Sequence, residues 1–152
     1  MSNSFMQKIL VFLLWLGASL LIAFPASAQK AFVRDDLAQE ATRIEQRLRS
    51  VATAPSSQPV PTLLREAQAA LTRSDARRAL QFANAAVLAD AASPEAWRLM
   101  AQAALAVDPR DFRERYDMAE RAMAAAYASY ARARTKADEA TSLALLADIF
   151  TR

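Results

Sequence analysis

Ser74 to Trp97, SDARRALQFANAAVLADAASPEAW, decides how the chain is read. Ser74-Asp75 has the composition of a turn, apolar residues recur at helical spacing from Ala76 to Asp90, and Ser93-Pro94-Glu95-Ala96-Trp97 has the composition of a helix start. A serine hydroxyl can cap free backbone N–H groups. Proline in the first helical position lacks an N–H that would otherwise be unpaired, and glutamate complements the positive end of the helix. The stretch therefore predicts the end of one helical hairpin and the start of the next.

Composition extends that reading to the whole chain. Hydrophobic residues make up 54% of the 152 residues, and the single glycine, Gly17, lies in an N-terminal apolar run. Strand proteins use glycine in hairpin turns and phosphate-binding loops need it for close backbone approach, so both classes lose ground and an all-α fold is expected. Cysteine and histidine are both absent. Their absence removes disulfides, thiolate nucleophiles, most zinc sites and the usual base near neutral pH, so neither a cofactor nor a metal is expected. Nineteen Lys and Arg against 16 Asp and Glu give a formal charge of +3, too weak and too mixed for a nucleic-acid footprint.

Met1 to Ala28 reads as a cleavable signal peptide. Lys8 supplies the positive start, Ile9 to Ala23 is an uncharged apolar core, and Ala26-Ser27-Ala28 is a small-x-small cleavage site that would leave Gln29 as the new terminus. The alternative is an inner-membrane anchor formed by residues 9–28, which carry no charge and are just long enough to span a bilayer. Pro25 followed by small residues favours cleavage between Ala28 and Gln29, hence export to the periplasm of a Gram-negative source. No cysteine is present to carry a lipid.

Residues 29–52 are expected to hold an N-terminal helix over Ala31 to Val51, with Asp35 or Asp36 near its start and Leu37, Ala41, Ile44, Leu48 and Val51 forming one apolar seam. Residues 53–61, TAPSSQPVP, contain three prolines and no charge and read as an extended linker. Helical repeats are expected over residues 62–152. The second unit departs from the period at Asp108-Pro109-Arg110-Asp111-Phe112, a longer loop, after which Asp111 and Glu114 have the spacing of a capping box. Tyr116, Met123, Tyr127 and Tyr130 share one side of the following helix and are expected in the core, while Ala119, Met123 and Ala126 resume the small-residue pattern. Thr135 is placed as the cap of a last helix running to Arg152, with Leu143, Leu146, Ala147 and Phe150 as its apolar face. Repeats bury such faces by stacking, so either Ala31 to Val51 folds back as a cap or the polypeptide continues; continuation is the expectation.

From Val60 to Ser93 the chain spans 34 residues, the period of a tetratricopeptide repeat. Ala67 and Ala70 on the first helix, Ala79, Ala83 and Ala86 on the second, and Trp97 in the next unit fall where that repeat places small residues and its aromatic. The chain thus resembles about two and a half tetratricopeptide-like repeats, the last incomplete. A generic helical bundle is the alternative. The order of leader, helix, proline-rich linker and degenerate repeats, together with Ala124 to Arg152 (AAAYASYARARTKADEATSLALLADIFTR), resembles the N-terminal segment of bacterial alpha-2-macroglobulin-family proteins. That resemblance implies a front-end module of a large periplasmic protease-trapping protein. Its thioester is not carried over, because no cysteine is present.

These features predict a non-catalytic protein-interaction module whose partner is a periplasmic protein or peptide, or other domains of a longer parent. A free-standing adaptor and a membrane-anchored structural protein are the alternatives. Repeat alignment puts Gln68, Arg98, Gln102, Thr141 and Asp148 on the groove side, and Arg98 and Gln102 share a face one helical turn apart. Each could equally be a solvated surface residue. Catalysis would have to rest on paired carboxylates such as Asp117 with Glu120 or Asp138 with Glu139, which surface charge and helix-end complementarity already explain, so no enzyme is expected.

Overall fold

The structure is a computed structural model describing residues 32–52 and 57–151. All regular structure among them is helical: α1 (Asp35–Val51), α2 (Val60–Thr72), α3 (Ala76–Ala89), α4 (Pro94–Ala106), α5 (Phe112–Arg132) and α6 (Lys136–Thr151). The leader, its cleavage site at Ala28 and Gln29, and residues 53–56 of the linker lie outside the described residues. No helix among those described is long and apolar enough to cross a membrane.

Short connections fold each helix from α3 to α6 back along its predecessor. The α2–α3 turn shows how closely the sequence controls this. Ser74 adopts φ +60, its N–H donates to the carbonyl of Leu71 at 2.9 Å, and the N–H of Asp75 donates to that of Ala70 at 2.9 Å. These are the two bonds of a Schellman motif, here built on serine instead of glycine. Asp75 then begins α3, its carboxylate accepting from the N–H of Arg78 at 3.2 Å. Two adjacent residues thus end one helix and start the next.

The core is built from small side chains. Ala70 of α2, Ala79 of α3 and Ala103 of α4 form one buried cluster, flanked by Leu71 and Leu80. Larger anchors occur at intervals, with Leu63, Val87, Trp97, Leu99, Met100 and Tyr130 fully buried. Trp97 lies buried in the first turn of α4. The Ser93 hydroxyl accepts from the N–H of Ala96 at 3.3 Å, and Pro94 occupies the first turn. The indole N–H donates to the carbonyl of Ala91 at 2.9 Å. Arg132, at the far end of α5, donates through Nε to the same carbonyl at 2.7 Å and lays its guanidinium over the Trp97 ring at 4.9 Å. Burial lowers the pKa of Arg132.

The α4–α5 loop is held by Glu114. The N–H of Glu114 donates to Asp111 Oδ1 at 2.8 Å, as a capping box requires. The return bond is redirected: the carboxylate accepts from the N–H of Arg110 at 2.6 Å, not from that of Asp111, and pairs with both Arg110 and Arg77 of α3. Arg77 also donates to the carbonyl of Asp108 at 3.0 Å. Bonds from Arg77, then from the Arg110 N–H and side chain, hold the Glu114 carboxyl well below the usual carboxylate range.

Several boundaries differ from the sequence-based expectation. Helix α1 begins at Asp35, not Ala31, and Val51 is exposed because the seam ends at Leu48. Helix α2 takes in Val60 and Pro61, since Pro59 serves as its N-cap and proline is tolerated in a first helical turn. Helix α5 has 21 residues against 13 for α4, so its first turns overhang its neighbour. Tyr116 and Ala119 are consequently exposed, whereas Ala122, Ala125, Ala126, Tyr127 and Tyr130 are buried. Thr135 does cap α6, its hydroxyl accepting from the N–H of Asp138 at 3.1 Å. Helix α1 packs on α5 and, less extensively, on α3. On α6, Leu146 is buried while Leu143, Ala147 and Phe150 stay exposed.

Candidate functional site

Helix α2 carries two faces. Leu63, Ala67 and Ala70 are buried, while Pro61, Leu64, Arg65, Gln68 and Thr72 recur at helical spacing along its other side. With Ala69 and Glu95 of α4, this second set lines an open groove of about 490 Å³ where α2 and α4 lie side by side. The floor is apolar, from Pro61, Leu64 and Ala69, and the rim is polar and charged.

Of the residues expected on a groove, Gln68 lines this one directly. Arg98 reaches Glu95 on its rim with an ion pair at 3.8 Å, one helical turn along α4. Gln102 follows on the same face, half-buried. Thr141 and Asp148 are not brought to it. Both are exposed on α6, which packs on α5; the Thr141 hydroxyl donates to the carbonyl of Ala137 at 2.9 Å, and the Asp148 carbonyl accepts from Thr151 at 3.0 Å. The physical reason is reach: α2 and α4 are neighbours across a hairpin, whereas α6 stacks on the far side of α5.

Sequence reasoning missed Pro61, Leu64, Arg65, Thr72 and Glu95 as groove residues. The spacing of Pro61, Leu64, Arg65, Gln68 and Thr72 at i, i+3, i+4, i+7 and i+11 was the available signal, hidden by assigning Pro61 to the linker.

Of the acidic pairs, Asp138 with Glu139 has structural partners close by. Asp138 accepts from the Thr135 hydroxyl at 2.8 Å and Glu139 pairs with Lys136 at 2.9 Å, both at the start of α6. Among the described residues no group of three or more acidic, histidine or cysteine side chains could hold a metal ion. Comparison with protein families, characterised proteins and solved structures finds no match to this chain.

Proposed function

We propose that this chain is a non-catalytic protein-interaction module, exported to the periplasm, whose partner occupies the groove between α2 and α4. The observation that carries the reading is the groove itself, with its apolar floor and a rim bearing Arg65, Gln68 and Glu95. An extended peptide suits such a groove, since its side chains can use the floor while its polar groups meet the rim. The packing of α2 on α3, α3 on α4 and α2 on α4 supports reading these hairpins as tetratricopeptide-like. The resemblance of Ala124 to Arg152 supports a place at the front of an alpha-2-macroglobulin-like envelope protein, where the partner would be a periplasmic protein or other domains of the parent.

The test is a photo-crosslinking residue placed at Gln68 or, as a control, at exposed Gln39 of α1, in cells that make the protein naturally. A discrete adduct from position 68, absent from position 39 and weakened by the R98A/Q102A double substitution, is the expected result. Equal adducts at both positions, or an adduct indifferent to R98A/Q102A, refutes the groove. Export is checked separately by the N-terminal residue of the native protein: Gln29 is expected, and a retained Met1 or Ser2 in the membrane fraction refutes cleavage.

A further inference from the structure

Phe112, Tyr116, Ala119, Met123 and Tyr127 of α5 recur at i, i+4, i+7, i+11 and i+15 and so form one stripe along the helix. Helix α1 covers the end of this stripe. Tyr127 is buried and its hydroxyl accepts from the N–H of Arg34 at 3.1 Å, just before α1 begins. The first two turns of the stripe are left uncovered, with Phe112 82% and Tyr116 62% exposed. Immediately beyond them lies a cleft of about 270 Å³ between α1 and α5, with Leu37, Tyr116, Ala119 and Met123 as its apolar wall and charged side chains of α1, together with Glu120, around it. The helix therefore presents an aromatic knob and, within about 12 Å along its axis, a hole of matching character.

The geometry points to a second copy of this chain as the occupant, with the two α5 helices antiparallel about a two-fold axis between Tyr116 and Asp117. That register lays each Phe112 over the other copy's Ala119, Glu120 and Met123, so both knobs fill both holes, as a closed two-fold contact requires. The same register sets Arg113 opposite Glu120 of the second copy, twice. Arg113 is exposed, Glu120 is half-buried beside the cleft, and neither has an ion-pair partner among the described residues. Charge complementarity thus falls where the apolar fit puts it. A partner of single charge sign would leave one of these two groups opposed by its own kind.

The dimer is a weak one. Phe112 and Tyr116 together leave roughly 250–350 Å² uncovered per copy. Even with its rim such a contact stays at the small end of specific interfaces, so the dimer is expected to form only at high protein concentration.

Sedimentation equilibrium of the native processed chain, from about 10 µM to 1 mM, tests this. Expected is a monomer–dimer equilibrium that Phe112→Ser weakens at least tenfold without changing the far-UV circular dichroism melt, since Phe112 buries little in the monomer. R113E is expected to weaken it as well, and R113E/E120R to restore it, because the swap rebuilds both ion pairs only if these residues face each other. A wild-type monomer across the whole range overturns the proposal, as does a dimer indifferent to Phe112→Ser. A dimer that R113E breaks and R113E/E120R fails to rescue overturns the register.

Discussion

Replacing Trp97 by phenylalanine tests whether the α3–α4 junction is held as described. Trp97 is fully buried, so the missing part of its ring leaves a void that the packed neighbours fill only in part. A volume loss of roughly 40 Å³ at about 24 cal/mol per Å³ costs about 1 kcal/mol. The hydrogen bond from Nε1 to the Ala91 carbonyl contributes about 1 kcal/mol more, without leaving that carbonyl orphaned, because Arg132 still donates to it. Phenylalanine also offers a poorer face to the guanidinium stacked at 4.9 Å, a further loss of about 0.5 kcal/mol. The sum is a destabilisation of about 2–3 kcal/mol, a large share of the stability of a small domain. Urea denaturation followed by far-UV circular dichroism measures it. The cycle with Arg132→Ala tests the shared carbonyl: that substitution should cost more in the Trp97→Phe background than in the wild type, because there Arg132 is the remaining donor to Ala91, and losing it, about 1–3 kcal/mol, outweighs the missing stack of about 0.5 kcal/mol. A W97F loss below about 1 kcal/mol, or strict additivity in the cycle, refutes the account of Trp97 and Arg132 as one unit.

Four further outcomes follow from particular contacts. Ser74→Gly should stabilise by about 0.5 kcal/mol in urea denaturation, because glycine relieves the cost of φ +60 while losing somewhat more chain entropy on folding. Ser129 and Ser142 are both buried, with hydroxyls 2.8 Å apart linking α5 to α6, and Ser142 also donates to the Asp138 carbonyl. Each single Ala substitution should cost about 1 kcal/mol and the double less than their sum, since removing both leaves no buried hydroxyl unpaired. The Glu114 carboxyl titrates lower folded than unfolded, so its contribution is fully present above the unfolded value of about 4.3 and is lost as pH falls below it toward the folded value. Glu114→Gln should therefore flatten the fall in stability below about pH 4.5, read as melting temperature against pH. Asn84 buries a side-chain oxygen with no partner, so Asn84→Leu should raise the urea midpoint, and a fall would show that the amide is needed.

What the sequence could disclose depended on how local its cause was. Ser93-Pro94 was legible because the hydroxyl, the missing proline N–H and the helix they serve lie within four residues. The turn at Ser74-Asp75 was legible as a turn, but not its left-handed residue, since serine rarely takes the place of glycine there. Glu114 shows the limit most clearly. Its spacing from Asp111 announced a capping box, yet its carboxylate is engaged by Arg77, 37 residues away, a partner no local pattern names. The aromatic stripe on α5 was placed correctly around the helix and wrongly along it. Periodicity fixes the angle of Tyr116 and Tyr127 alike, whereas burial depends on how far the neighbouring helices reach along α5, which no local pattern sets. Likewise Gln68 could be placed on a face, while Thr141 and Asp148 required knowing that α6 stacks on α5.

The alanine-rich core explains why so much of this fold is secured at its connections. A buried alanine removes little apolar surface, on the order of one methyl group, but lets helices approach closely. Such interfaces slide easily, because one row of methyl groups resembles the next. Residues that cannot slide must then fix the register: the Ala91 carbonyl shared by Trp97 and Arg132, the Glu114 carboxylate shared by Arg77 and Arg110, and the Tyr127 hydroxyl that receives the start of α1. Each joins chain segments remote in sequence and each involves the end of a helix, where backbone groups lack intrahelical partners. Loss of one should therefore loosen how two helices are aligned before it unfolds either, and hydrogen exchange should rise first in the connections around Ala91 and Asp108, ahead of the helix interiors.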